Sequence, residues 1–397
     1  MKSETVLILQ GGGSLGAYEC GVYKTLARHG IKFDTIAGTS IGAVNASIIS
    51  SMQRSGNNNN NNNAADTLER FWITLSENII PPISSLFLPD KGKSVLSSIY
   101  STVYGNSKAF MPRWFMPPTT PNYLLPYNWT YLYDSTPLRN TLSQYVDFTK
   151  LKRRKITKTT NEDKNNSHGQ SGPINSNDDD SDYSNPTPRL ILTSTDIQKG
   201  EPVIFDNSSM DIDIDHVIAC TGYPFYGIGW TKKDGRYLWD GSLLSNTPVL
   251  EVIKASPKAA KKFYIADIFP RRQQELPKNM SEVWHRARDI MYIDKTDNDV
   301  KILKTVTEHH LTLLKELYEI VSTSKLEEKN KARFNKIKPE CNRLVHEHSA
   351  IMNEVIRIQR KEEKEHFIFE DADFSTAKIK KLISQGEQDA ENALAEK

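Results

Sequence analysis

Three groups of residues have the types and spacing to do chemistry. Gly11, Gly13 and Gly16 satisfy G-x-G-x-x-G, and Gly38-Thr39-Ser40-Ile41-Gly42 satisfies G-x-S-x-G with Ser40 24 residues after Gly16. Asp240-Gly241 closes the apolar stretch Tyr237-Leu238-Trp239. A glycine turn at a helix N-terminus offers a ring of backbone N–H groups that holds negative charge. A pyrophosphate would occupy such a ring permanently, and Asp34, 18 residues beyond Gly16, stands near where a dinucleotide site places its ribose-binding acid. A tetrahedral oxyanion would use the same donors only in the transition state.

Ser40 favours the second use. The sharp turn from strand to helix that the motif demands tolerates only small neighbours, which gives Gly38 and Gly42 a steric reason, and it exposes the serine hydroxyl at a helix start. There the helix dipole and the N–H of Ile41 stabilise charge developing in acyl transfer. A serine alcohol needs a base. The chain has nine histidines, His29, His168, His216, His285, His309, His310, His346, His348 and His366, and none sits in a catalytic context. The pairs His309/His310 and His346/His348 lie on charged helical stretches without the i, i+4 spacing of a helical zinc site. A carboxylate is the other kind of base, although Asp240-Gly241 read alone is an ordinary turn.

The elements around these residues follow from periodicity. Thr5 to Leu9 is a continuous apolar run ended by three glycines, which reads as a strand buried on both faces. Ala17 to His29 has helical spacing with Gly30 as a stop, and a short strand at Thr35 to Ala37 leads into a helix beginning at Ser40. Repetition of this order predicts an α/β domain with a mainly parallel sheet. Further strands are expected at 189–195, 202–205 and 262–268. A long amphipathic helix is expected from Val300 to Val321 and a second through Leu344 and His348. A return strand is expected at about 354–360, where Ile356 and Ile358 alternate with polar residues, and a terminal helix at 375–394. Residues 55–63 and 158–187 read as polar loops without apolar periodicity. Residues 79–133, dense in proline and aromatics, read as an irregular insert, either a packed loop subdomain or a lipid-facing lip over a site. The expected organisation is a core at 1–295 with a helical excursion at 296–397 belonging to the same domain.

Composition excludes other classes. At 397 residues the chain is long enough for one elaborated domain or two. Its 51 basic and 49 acidic residues leave +2, which removes the usual electrostatic warrant for a nucleic-acid binder. Mean hydropathy is −0.54. No apolar run approaches the roughly 18 residues of a spanning helix, and the first ten residues are too short an apolar stretch for a signal peptide, so a cytoplasmic protein is expected. The scattered Cys20, Cys220 and Cys341 suggest neither a zinc ribbon nor a disulfide framework.

Gly11-Gly12-Gly13-Ser14-Leu15-Gly16, Gly38-Thr39-Ser40-Ile41-Gly42 and Asp240-Gly241, in that order, resemble the motifs of the patatin-like phospholipases. The likeness runs on through Tyr133 to Leu138, Trp239 to Pro248 and the last strand and helix, in the manner of longer prokaryotic members. The resemblance implies a three-layer α/β/α fold with a mainly parallel central sheet and a C-terminal helical elaboration. It implies a serine acyl hydrolase that uses a Ser-Asp dyad and no cofactor or metal, acting on an acyl lipid or ester with peripheral membrane contact left open. Carried over, Ser40 is the nucleophile and Asp240 its base. The oxyanion hole is drawn from the amides of Gly11, Gly12, Gly13, Ser14 and Ile41, with Gly16, Gly38, Gly42 and Gly241 as the motif glycines. Two departures are Leu15, where the family often has a cation, and Ser242, where it usually has glycine or alanine. Neither removes a required chemical group. The alternatives are a dinucleotide-binding oxidoreductase built on the first glycine turn and a catalytically silent scaffold. Head group, chain length and oligomeric state are not legible. Tyr237, Trp239 and Phe225 are expected to supply the desolvation that would make Asp240 a useful base.

Overall fold

Residues 3–53, 58–77, 90–115, 128–152, 187–256, 260–273, 275–305, 310–348, 352–361 and 370–396 are described by the computed structural model. The chain opens with β1 (Glu4–Leu9), α1 (Ala17–Arg28), β2 (Thr35–Thr39), α2 (Ile41–Met52) and α3 (Asn58–Ser76). Next come α4 (Asp90–Tyr104), the short pair β3 (Met111–Pro112) and β4 (Tyr133–Asp134), and α5 (Thr136–Leu142). They are followed by β5 (Arg189–Asp196), β6 (Glu201–Asp206), α6 (Ile214–Ala219), β7 (Thr231–Lys233), β8 (Arg236–Asp240), α7 (Val249–Ala255) and β9 (Lys261–Asp267). The C-terminal part holds α8 (Met280–Lys304), α9 (Leu311–Thr323), α10 (Glu328–His348), β10 (Met352–Gln359) and α11 (Thr376–Ala395).

The central sheet runs parallel through β10, β9, β1, β2 and β5. Successive residues of β1 point to opposite faces, and both faces are apolar. Leu7 and Leu9 join the core beneath α1, α2, α3 and α11, while Val6 and Ile8 join a smaller core beneath α7. This is the three-layer α/β/α arrangement, and β10 returns the C-terminal helices to the sheet by pairing with β9. The helices α1 and α11 cross closely, because a Cβ at Gly21 would overlap the Ile383 carbonyl and one at Gly386 the Tyr18 carbonyl.

The register of β5 sets the site. Residues 191–196 pair with β6 along one edge; along the opposite edge residues 189–193 pair with β2 and residues 194–196 with antiparallel β8. The carboxyl ends of β2 and β8 therefore meet at one point of one edge, with Thr39 opposite Thr193 and Asp240 opposite Ser194.

Some expectations need correction. Asn58–Asn63, expected in a loop, form the start of α3, an extension of a helix anchored downstream by buried Leu68, Phe71 and Trp72. Asparagine costs only about 0.7 kcal/mol per helical position, which such anchoring overrides. Residues 90–104, expected irregular, are the helix α4. The helix expected from Val300 to Val321 is divided between α8 and α9, with residues 306–309 outside the described residues, as are 54–57 and nearly all of 158–187. Among the described residues no helix is long and apolar enough to cross a membrane.

Candidate active site

The end of β1 is pinned by Gln10. Its Nε2 donates to Thr247 Oγ1 at 2.8 Å and Asp267 Oδ1 at 3.0 Å, and its Oε1 accepts the Ile268 N–H at 3.0 Å. Its own N–H donates to the buried Glu19 at 2.5 Å, and the other Glu19 oxygen accepts from Asn45 Nδ2 at 2.8 Å. Burial pushes the Glu19 carboxyl well above the usual carboxylate range, against the opposing pull of those two bonds. Trp72 Nε1 donates to Asn45 Oδ1 at 3.1 Å, so α1, α2 and α3 are joined beneath the glycine turn by satisfied polar contacts.

Past Gln10 the chain turns through Gly11 and Gly12 into the 3-10 turn Gly13–Gly16 and α1. Not every amide of this turn is available. Gly11 N–H donates to Asn246 Oδ1 at 3.0 Å, which removes it from the expected set of oxyanion donors. The amides of Gly12, Gly13 and Ile41 have no acceptor among the described residues, and all three residues line one cavity with Ser40. Ser14 is buried outside that lining, its hydroxyl donating to the Glu370 carbonyl at 3.1 Å.

Ser40 caps α2 with φ +55° and ψ −125°, one of two non-glycine residues with positive φ among the described residues. Such a conformation costs on the order of 1–3 kcal/mol and persists only where its surroundings enforce it. Here they do: a Cβ at Gly38 would overlap the Gly42 carbonyl, and one at Gly42 the Leu9 carbonyl. Thr39 Oγ1 is bonded to Thr193 Oγ1 at 2.6 Å and donates to the Ser245 carbonyl at 3.0 Å, which locks the strand end that carries the serine.

Asp240 arrives from the other direction. Its backbone N–H donates to the Gly222 carbonyl at 3.1 Å, and its carbonyl accepts from Thr195 Oγ1 at 3.0 Å. The side chain is completely buried. Oδ1 accepts the Ser242 N–H at 2.8 Å, whereas Oδ2 has no hydrogen-bond partner at strict geometry. The Ser40 hydroxyl is nonetheless close enough to lower the carboxyl's pKa. Burial is the larger effect and raises the Asp240 pKa from 3.8 to about 6. Phe225 and Tyr237 are too exposed to account for that burial. Tyr223 and Tyr292, whose hydroxyls are bonded at 2.7 Å, and Cys220 are the groups whose own ionisation Asp240 opposes.

The cavity over these groups has a volume of about 350 Å³ and is walled mainly by apolar and aromatic side chains, among them Ile41, Leu138, Phe110, Ile228, Phe269 and Phe374. Arg288 and Tyr292 of α8 and Asp371 of the segment before α11 complete the wall. These three and Asn246 escape sequence reasoning. Only Asn246, in the turn just after Asp240, had a local signal, while the others lie more than 45 residues further on with none. No histidine among the described residues lines the cavity; His216 sits in the first turn of α6, its Nδ1 accepting the N–H of the N-cap Asp213, and His29 pairs with Glu391.

Asp34 is far from this place. Its carboxylate accepts the Thr5 N–H at 2.9 Å, at the amino end of β1, whereas the glycine turn lies at the carboxyl end. A strand of this length separates the two by roughly 15 Å, so they do not form a dinucleotide site.

Comparison with known proteins gives the same outline. A family model described as patatin-like phospholipase matches residues 7–253, and a second, described as patatin phospholipase, matches residues 290–397. A triacylglycerol lipase of Arabidopsis thaliana, SDP1L, is 45% identical over 47 residues, which is 12% of this chain and 6% of that protein. The match thus spans a small fraction of the curated relative. Among solved structures, VipD from Legionella pneumophila aligns over 100% of this chain and 67% of its own at 14% identity, with a TM-score of 0.38, too low to bear on the fold.

Proposed function

Because the chain belongs to the patatin-like phospholipase family, we propose that it is a lipid acyl hydrolase cleaving carboxylic esters through an acyl-serine intermediate. The observation that carries this reading is the buried Asp240 carboxyl, with a pKa near 6, facing a serine held at positive φ.

In acylation Ser40 Oγ attacks the ester carbonyl and its proton passes to Asp240. The tetrahedral oxyanion is held by the amides of Gly12, Gly13 and Ile41. As the intermediate collapses, the bond from carbonyl carbon to alcohol oxygen breaks and the leaving alkoxide takes the proton from Asp240. Water then attacks the acyl-serine, again giving its proton to Asp240, which returns it to Ser40 as the acid departs. The apolar cavity provides the volume and chemistry for an acyl chain.

A fluorophosphonate reagent should label the wild-type protein, with the adduct mapping to the peptide containing Ser40. Ser40→Ala should abolish both labelling and p-nitrophenyl ester turnover. Appreciable turnover by Ser40→Ala, or an adduct on another residue, would refute the nucleophile.

A further inference from the structure

Two helices that contribute to the cavity wall bury polar side chains and leave large apolar ones exposed. Amphipathic helices ordinarily bury the apolar side. On α4 the buried residues are Ser97, Ser98 and Ser101, while Ile99, Val103 and Tyr104 face solvent. On α8 polar His285, Arg288 and Asp289 are buried beside Tyr292 and Ile293, while Met280, Val283, Trp284 and Met291 are exposed. Thr102 of the first helix and Arg288 and Tyr292 of the second reach the cavity.

The mouth itself is apolar. Phe225 and Leu132 line the cavity yet are 71% and 44% exposed. Leu132 is tied to the aromatic cluster beside α4, since Arg113 N–H donates to its carbonyl at 2.8 Å. In that cluster Phe115 stacks on Tyr104 at 5.9 Å and Trp114 packs edge-on against Tyr133 at 5.7 Å. Contiguous exposed apolar surface of this kind marks an interaction site.

Charge identifies the occupant. From the start of α4 to the end of β4, residues 90–134 carry four cations, Lys91, Lys93, Lys108 and Arg113, against two carboxylates, Asp90 and Asp134, at the two ends, in a chain whose net charge is only +2. The Arg113 guanidinium lies over the Tyr131 ring at 4.4 Å and the Trp129 ring at 5.3 Å, so a cation is held among aromatics with polar tips. Aromatic side chains with polar tips concentrate at lipid–water interfaces, and juxtaposed cations are drawn to anionic head groups. We propose that this face, formed by α4 and by residues 113–115 and 128–132 around the cavity mouth, docks on an anionic lipid bilayer, so that an ester passes from bilayer to cavity without crossing water. The identity of the bilayer as substrate source rests on the function proposed above; the docking does not.

The test is cosedimentation with vesicles of phosphatidylcholine alone or containing about 30% phosphatidylglycerol. Wild-type protein should bind the anionic vesicles, and binding should weaken as salt rises from about 0.05 to 0.5 M. Tyr104→Glu with Phe115→Glu, two exposed residues outside the cavity lining, should cut vesicle binding by about tenfold or more while turnover of a soluble short-chain ester stays within about twofold. Ser40→Ala protein should bind vesicles like wild type, which separates docking from chemistry. Failure of wild type to bind either vesicle, equal binding by the double variant, or a solution dimer that buries Tyr104 and Phe115 would overturn the proposal.

Discussion

A buried carboxylate carries a stability penalty whose sign follows from its shifted pKa. Asp240 has its pKa raised from 3.8 to about 6 by burial, so the native state holds the proton more tightly than the unfolded chain does. Below pH 4 both states are protonated and the relative stability this confers on the fold is fully present; it is lost as pH rises through 6, when the native state must ionise a buried group. At 1.36 kcal/mol per pH unit the loss comes to about 3 kcal/mol. Asp240→Asn removes the ionisation and retains an acceptor for the Ser242 N–H. Thermal melts should therefore show the variant more stable than wild type at pH 8, by about 1–3 kcal/mol, and indistinguishable near pH 4. Its ester turnover should fall by about 10³-fold. In wild type, kcat/KM should rise with pH through an inflection near 6, where the base becomes competent. A flat profile from pH 5 to 8 would remove Asp240 from the role.

At the scale of the element, the strained serine exists because two glycines let β2 and α2 meet. Gly38→Ala places a methyl against the Gly42 carbonyl, backbone that cannot swing aside, and should cost about 1–3 kcal/mol or more, measured by urea unfolding. Surviving folded protein should label slowly with fluorophosphonate, since relaxation of the clash moves Ser40. This part of the site is legible in sequence because motif, strand and helix are contiguous. Asp240 is not legible in the same way. Its dipeptide reads as a turn, and it comes beside the end of β2 only because β8 ends on the edge of β5 where β2 stops. The amide of Gly11 looks equivalent to its neighbours until Asn246, 235 residues later, takes it. Helix α4 is hidden for a third reason. Its core-facing side is serine, so a reading that assigns apolar residues inward finds no consistent face. That same inversion is what marks the helix as part of a docking surface.

At the scale of the molecule, the C-terminal part belongs to the site. The Ser14 hydroxyl bonds to Glu370, the Gly13 backbone packs against the Asp371 carbonyl, and Arg288 and Asp371 line the cavity. The buried Arg288 guanidinium donates to Asp371 Oδ2 at 3.0 Å and to Asp289 Oδ1 at 2.9 Å, lies 5.1 Å from the Phe269 ring, and is held positive by those two carboxylates. One cation thus joins α8, the segment before α11 and the end of β9. Replacing a whole buried ion pair with apolar residues can be neutral, but removing one member strands its partners. Arg288→Ala leaves Asp289 and Asp371 buried without their cation, Asp371 keeping the Tyr226 hydroxyl as a donor, and should cost about 3–5 kcal/mol at pH 8. Burial already raises the Asp289 carboxyl's pKa, and loss of the Arg288 charge removes the attraction that opposes this, so acidification should protonate Asp289 and return part of that loss toward pH 5, whereas a cavity formed by lost packing would leave the deficit unchanged with pH. Denaturant unfolding of wild type and Arg288→Ala at both pH values separates the two. If the deficit is electrostatic, fluorophosphonate labelling of Ser40 should weaken with it, because Arg288 holds one wall of the cavity that Ser40 lines.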